Sequence, residues 1–302
     1  MKRIGVSRYF LLLFIALLFF TSCTHTSLFK DERYVESFGD DGDIVVSISP
    51  KKASSILPLH QLASTQFNSL LERIERVSFA LYENEKSVEG DFSTYSFYGG
   101  VEGNIPSFIT NTALLYSKEW QGIDTETTRF YRNTELGLDI YSPRSGILLF
   151  SNDDYMKGYT ETYKNRTKKM DSSLAERLAN ASFGLYIASP EAMIEIGLEL
   201  PTSVLSKTES LLVIFELNEE NEHVLGAAFT MESEKLASSL SILLKSGYIS
   251  DKRRNKEPFK DVVDIFSQDE NRVNIFNLKL TSEQVSLIST QFNSITQLLT
   301  GE

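Results

Sequence analysis

The sequence predicts an α+β fold in which antiparallel β-hairpins pack against helices, arranged as two similar halves. Three observations carry this. Short apolar runs with strand alternation come in pairs around turns, each pair is followed by a helical pattern, and the order strand, Ser-Pro, helix, hairpin, helix occurs twice. Strand pairs joined by short turns pair antiparallel, because a parallel crossover needs a dozen or more residues.

The first strand, Ile44 to Ile48, runs into Ser49-Pro50 and a helical stretch. Its counterpart, Phe183 to Ile187, runs into Ser189-Pro190 and Glu191-Ala192-Met193-Ile194, so the same Ser-Pro pair closes the opening strand of each half. Next, Val77 to Tyr82 and Phe92 to Tyr98 alternate around a turn ending in Gly90-Asp91. The segment Gly99-Gly100-Val101-Glu102-Gly103 reads as the turn into a helix, with Pro106 in its first turn and Phe108, Ile109, Leu115 and Tyr116 apolar. In the second half, Leu211 to Leu217 and Val224 to Phe229 flank the turn Asn218 to His223, and a helix follows with Leu236, Leu240, Leu243 and Leu244 on one stripe.

Leu136 to Tyr141 and Gly146 to Phe150 then flank Ser142-Pro143-Arg144-Ser145, with a helix starting near Asn152-Asp153. The matching strand is Asn274 to Leu280. It leads to a helix opened by Thr281 with Gln284 three residues on, the spacing of a capping box. The step from Tyr98 to Phe229, where the hairpins end, nearly equals the step from Phe150 to Leu280, where the final strands end, so the halves stay in register after one indel. Whether the strands make one sheet or two stays open at this level. The identical pentads at 65–69 and 290–294 fall out of step with that register and read as coincidence.

Ahead of these halves, residues 1–22 read as a charged start (Lys2, Arg3, Arg8), an apolar run from Tyr9 to Phe20, and a small polar exit, Thr21 and Ser22. This is the order of a signal peptide. The apolar run has 12 residues, short of the roughly 20 that a helix needs to cross a hydrocarbon core. The exit, Phe20-Thr21-Ser22-Cys23, resembles the lipobox of bacterial lipoprotein precursors, and Phe20 in place of the common Leu is similar to the relaxed form of spirochaete lipoproteins. The resemblance implies cleavage between Ser22 and Cys23 and a diacylglyceryl group on the Cys23 thiol. Two or three acyl chains hold stably, since each buried methylene contributes about 0.8 kcal/mol and one chain alone is marginal. Thr24, where Asp favours inner-membrane retention in enteric bacteria, favours the outer membrane of the cell envelope.

The chain thus divides into a signal peptide (1–22), the lipidated cysteine with a tether (23–43), and two α+β units (44–170 and 171–302). A tether of 20 residues at 24–43 has a root-mean-square reach of about 25 Å as a flexible coil. Cys23 is the only cysteine, which excludes an internal disulfide and a cysteine metal cluster. The formal net charge is -11, and removing Lys2, Arg3 and Arg8 with the leader takes it to -14. Such an acidic body repels nucleic acid.

The sequence carries no legible catalytic constellation. His25, His60 and His223 are the only imidazoles, and none has a second ligand at metal spacing. No G-x-S-x-G elbow marks a serine nucleophile, and the Gly99 cluster lacks the Lys of a phosphate loop. Asp40, Asp41 and Asp43 lack the later acidic ligand of a calcium loop, and Asp153-Asp154 suits a helix start. No cofactor and no metal are therefore assigned. Two basic runs, Lys164, Arg166, Lys168, Lys169 and Lys252, Arg253, Arg254, Lys256, are placed in loops between elements, where they would meet solvent or an anionic partner.

These readings favour a non-enzymatic envelope lipoprotein, held to the membrane through Cys23, that binds another protein or an anionic envelope component. The alternative is a carrier of lipid or another hydrophobe in an apolar cavity between sheet and helices. A hydrolase with an unmarked site is the third.

Overall fold

Alternation of buried and half-buried residues along the strands dictates how the sheet is covered. The computed structural model describes residues 35, 44–54, 72–82, 95–126, 128–152, 156, 170–188 and 206–286. In chain order these form β1 (Ile44–Ile48), α1 (Pro50–Ala53), β2 (Ile74–Tyr82), β3 (Ser96–Gly103), α2 (Ser107–Tyr116), β4 (Gln121–Asp124), β5 (Arg129–Asn133), β6 (Leu138–Tyr141) and β7 (Ile147–Ser151). There follow α3 (Ser172–Asn180), β8 (Phe183–Ile187), β9 (Thr208–Leu217), β10 (His223–Met231), α4 (Glu234–Arg254), α5 (Val262–Ile265), β11 (Phe266–Asp269) and β12 (Arg272–Lys279).

The strands join into a single 12-stranded sheet in the order β11-β12-β10-β9-β8-β1-β2-β3-β7-β6-β5-β4. Every neighbouring pair is antiparallel. At its centre β1 lies against β8, with Ile44 opposite Ile187 and Ile48 opposite Phe183. From that pair outward the strands follow in chain order on each side, β2 and β3 on one, β9 and β10 on the other.

Registers place Phe150, Gly99, Phe79, Val46, Leu185, Val213, Ala227 and Ile275 in one row across the sheet, on one face. At the β8 to β12 end this face carries the main core. There Phe183, Leu211, Phe215, Phe229 and Val273 meet Ala237 and Leu240 of α4. Full burial of each such aliphatic or aromatic side chain contributes about 1.5–3 kcal/mol. Ser233 starts α4 by accepting from the Leu236 amide at 3.4 Å. Of the predicted Leu stripe, Leu240 is buried and Leu236 and Leu244 are packed on the core, whereas Leu243 stays 62% exposed.

On the opposite face the adjacent row runs through Leu149, Gly100, Ser78, Ser47, Gly184, Ile214 and Gly226. Small residues at its centre let α3 settle on β8 and β1, with Leu178 and Ala175 buried. Asp171 caps α3, accepting from the amides of Ser173 and Leu174 at 3.0 and 3.1 Å.

Several sequence expectations are corrected. Gly99 to Gly103 is not a turn but the second part of strand β3, paired with β2 and β7. The basic run from Lys252 to Arg254 lies in the last turn of α4 rather than in a loop, and Lys256 follows in the turn after it. The capping box after β12 has the expected form, with the Thr281 amide donating to Gln284 Oε1 at 2.9 Å and the Gln284 amide to Thr281 Oγ1 at 3.3 Å.

Candidate functional site

Three features of the described residues lie outside what a core requires, and the first is a buried ion pair. A register shift between Ile74 and Arg76 places Arg76 of β2 directly opposite Glu102 of β3. Arg76 Nε lies 4.0 Å from the Glu102 carboxylate, with only 13% and 9% of the two side chains exposed. Arg76 Nη1 also donates to Ser47 Oγ at 2.9 Å and to the carbonyls of Leu178 and Ala181 at 3.2 and 3.5 Å. Ser78 Oγ donates to Ser47 Oγ at 3.3 Å, so the polar cluster is continuous over β1, β2 and β3. At 4.0 Å the attraction is weaker than the cost of taking the charges out of water. Burial raises the Glu102 carboxyl to about 7 against the pull of Arg76, and burial likewise lowers Arg76.

The second feature is a half-open apolar surface. On the face of β2, β3 and β7 away from that cluster, Val77, Phe79, Leu81, Phe97, Val101, Leu148 and Phe150 are all half-buried, whereas the opposite face of these strands is buried. Gly99 sits among them because a side chain there would meet the Phe150 and Phe79 side chains at 2.6 Å. The rings of Phe97 and Phe150 pack at 6.0 Å.

The third is α2, whose polarity is inverted. Its polar residues turn inward: the Ser107 amide donates to Ser145 Oγ at 3.2 Å and Asn111 Nδ2 to the Ser142 carbonyl at 3.1 Å. Most of its apolar residues turn outward, with Phe108 and Tyr116 each 80% exposed and Ile109 63%, while Leu114 is half-buried. No side chain of this helix carries a charge.

Of the residues singled out in the sequence, Ser22, Cys23, His25, His60, Asp40, Asp41, Asp43, Asp153, Asp154 and the basic run from Lys164 to Lys169 lie outside the described residues. His223 opens β10, and its buried Nδ1 makes no hydrogen bond. Among the described residues no group of three or more His, Cys, Asp or Glu side chains is placed to hold a metal ion. The second basic run is engaged locally. Lys252 pairs with Glu257 and lies over the Tyr248 ring, Arg254 pairs with Asp251, and Arg253 lies over Phe259. Sequence reasoning did not single out Arg76 or treat Glu102 as one of a pair. The signal was an Arg and a Glu in two strands of one hairpin, and only the bulge that sets their register makes them partners.

The large antiparallel sheet and the helices packed on it define an α+β protein. No family model matches the chain, and no curated protein matches it in sequence. Among solved structures it is similar to crystal form III of TP0453, at 13% identity and a TM-score of 0.55, over 85% of this chain and 97% of that one. Crystal form I of TP0453 matches at 15% identity and a TM-score of 0.53, with the same coverage of 85% and 97%. At these identities the likeness is one of fold.

Proposed function

We propose that this chain is a lipoprotein of the cell envelope, anchored by acyl chains on Cys23, whose body binds another protein or an envelope component and catalyses no reaction. The observation that carries the reading is the unbroken order Lys2, Arg3, Arg8, apolar run, Thr21-Ser22-Cys23. No helix among the described residues is long and apolar enough to cross a membrane, and the reading places the anchor on Cys23. The uncharged outward stripe of α2 supports a binding role, because contiguous exposed apolar surface on a soluble body marks an interaction site. Thr24 supports the outer membrane over the inner. The order of strands on either side of β1 and β8 supports an origin of the two halves by duplication.

The test is metabolic labelling with palmitate. The full-length chain is expected to take up label and a Cys23→Ala variant to take up none; label in the variant, or none in the parent chain, would overturn the assignment. A second reading, a carrier of lipid or another hydrophobe, is supported by the half-buried aromatic surface around Gly99. Native mass spectrometry of the purified chain showing no bound lipid would count against it.

A further inference from the structure

The two halves of the sheet meet in one ladder, β1 against β8. Helix α3 ends just before β8 and lies over both strands. At the end of any helix the last carbonyls lack intrahelical partners and carry the negative end of the helix dipole. Here the Ser182 amide, the natural partner of the Leu178 carbonyl, is turned away to Phe215 O at 2.9 Å. A cation from the other half of the molecule takes its place. Arg76, on β2, reaches past Ser47 of β1 to the Leu178 and Ala181 carbonyls. On the exposed side Lys52 of α1 donates to the Asn180 carbonyl at 3.1 Å.

We propose that Arg76, Glu102 and the last turn of α3 form a pH-sensitive brace across the β1–β8 ladder, which loosens as the medium turns from acid to alkaline. The charged groups that act on Glu102 are Arg76 and, more weakly, Glu75, both from β2. From β7 the residue opposite Glu102 is Ile147. Helix α3 meets the cluster with carbonyls; its Arg177 is coupled to Glu216 and Arg272, and Glu176 is exposed. From α1, Lys51 and Lys52 are exposed, and Lys52 bonds α3 directly. Glu102 is thus the group in the brace whose charge changes near neutrality.

A carboxyl that titrates at 4.5 in water and at about 7 when enclosed holds its proton more tightly in the closed arrangement. The stabilisation from that proton is fully present below about pH 4.5 and is lost as the pH rises through about 7. Above that range the enclosed carboxylate favours any opening that hydrates it. Arg76 then follows its counter-charge toward water and releases the α3 carbonyls.

The experiment is hydrogen exchange of the full chain at pH 5 and pH 8, corrected for intrinsic exchange rates and read in peptides covering α3 and β8. Protection there is expected to fall roughly 70-fold between the two pH values, the ratio for a shift from 4.5 to about 7. In Glu102→Gln it should stay constant. An equal fall in the variant, or an equal fall in peptides of β11 and β12, would overturn the brace. A carboxyl NMR titration of Glu102 in the unaltered chain guards against a misfolded variant: a midpoint near neutrality is expected, and one below pH 5 would overturn the proposal.

Discussion

Gly99 and Gly184 both stand where something comes down close on the sheet, yet their substitutions should differ in cost. A Cβ at Gly99 would lie 2.5 Å from the Ser78 carbonyl oxygen and 2.6 Å from the Phe79 and Phe150 side chains. The first of these is backbone in a paired strand, which cannot retreat without breaking its ladder. A Cβ at Gly184 would meet Leu178 Cδ2 at 2.8 Å, the free end of a flexible side chain, and ordinary contacts beyond that. Gly99→Ala is therefore expected to cost about 1–3 kcal/mol and Gly184→Ala under about 1 kcal/mol. Urea midpoints would check this, and equal losses would show that the close approach at Gly99 relaxes. The Gly99 site also shows why the sequence reading ended this strand at Tyr98 and took Gly99 to Gly103 for a turn. Gly-Gly is a turn signal taken alone, and only the rings of Phe79 and Phe150 across the ladder give it a strand meaning. Neither ring is near it in sequence.

Elements differ in how much of their placement is local. Helix α3 has a local start, since Asp171 accepts from the Ser173 and Leu174 amides and from Ser173 Oγ. These bonds, led by that of the Ser173 hydroxyl, hold the Asp171 carboxyl below its usual range. Asp171→Ala is expected to cost about 1 kcal/mol at neutral pH, while Asp171→Asn keeps most of the cap. The sign with pH is opposite to that of Glu102: a depressed carboxylate stabilises above its unfolded range near 4 and the contribution is lost in stronger acid. Thermal melts of the Ala variant and the parent should therefore converge as the pH falls below about 4, and a gap that persists there would assign the loss to something other than the cap. For α2 the apolar residues were legible but their direction was not. Periodicity reports that Phe108, Ile109 and Tyr116 share a face; the bonds from Ser107 and Asn111 to the loop at 142–145 decide that this face looks outward. Strand β11, four residues with two half-buried polar ones, has too little alternation to be read without β12 beside it.

At the scale of the molecule, the hairpins were legible because their partners are close in sequence, and the single sheet was not. It depends on β1 meeting β8 from the far half of the chain, and nothing within either strand names the other. Distance also governs where the body begins. The segment 24–43 reads as tether because it is polar and without period, yet Val35 within it is 1% exposed. One buried valine at the right place is invisible to periodicity. Val35 is thus packed with the folded body. Two soluble chains test this, one beginning at residue 33 and one at residue 44. The shorter should lose the burial of Val35, on the order of 2 kcal/mol, as a lower urea midpoint with an unchanged slope. Val35→Ala in the longer chain should reproduce a good part of that loss by opening a cavity. Equal midpoints for the two chains would mean that Val35 adds nothing to the fold.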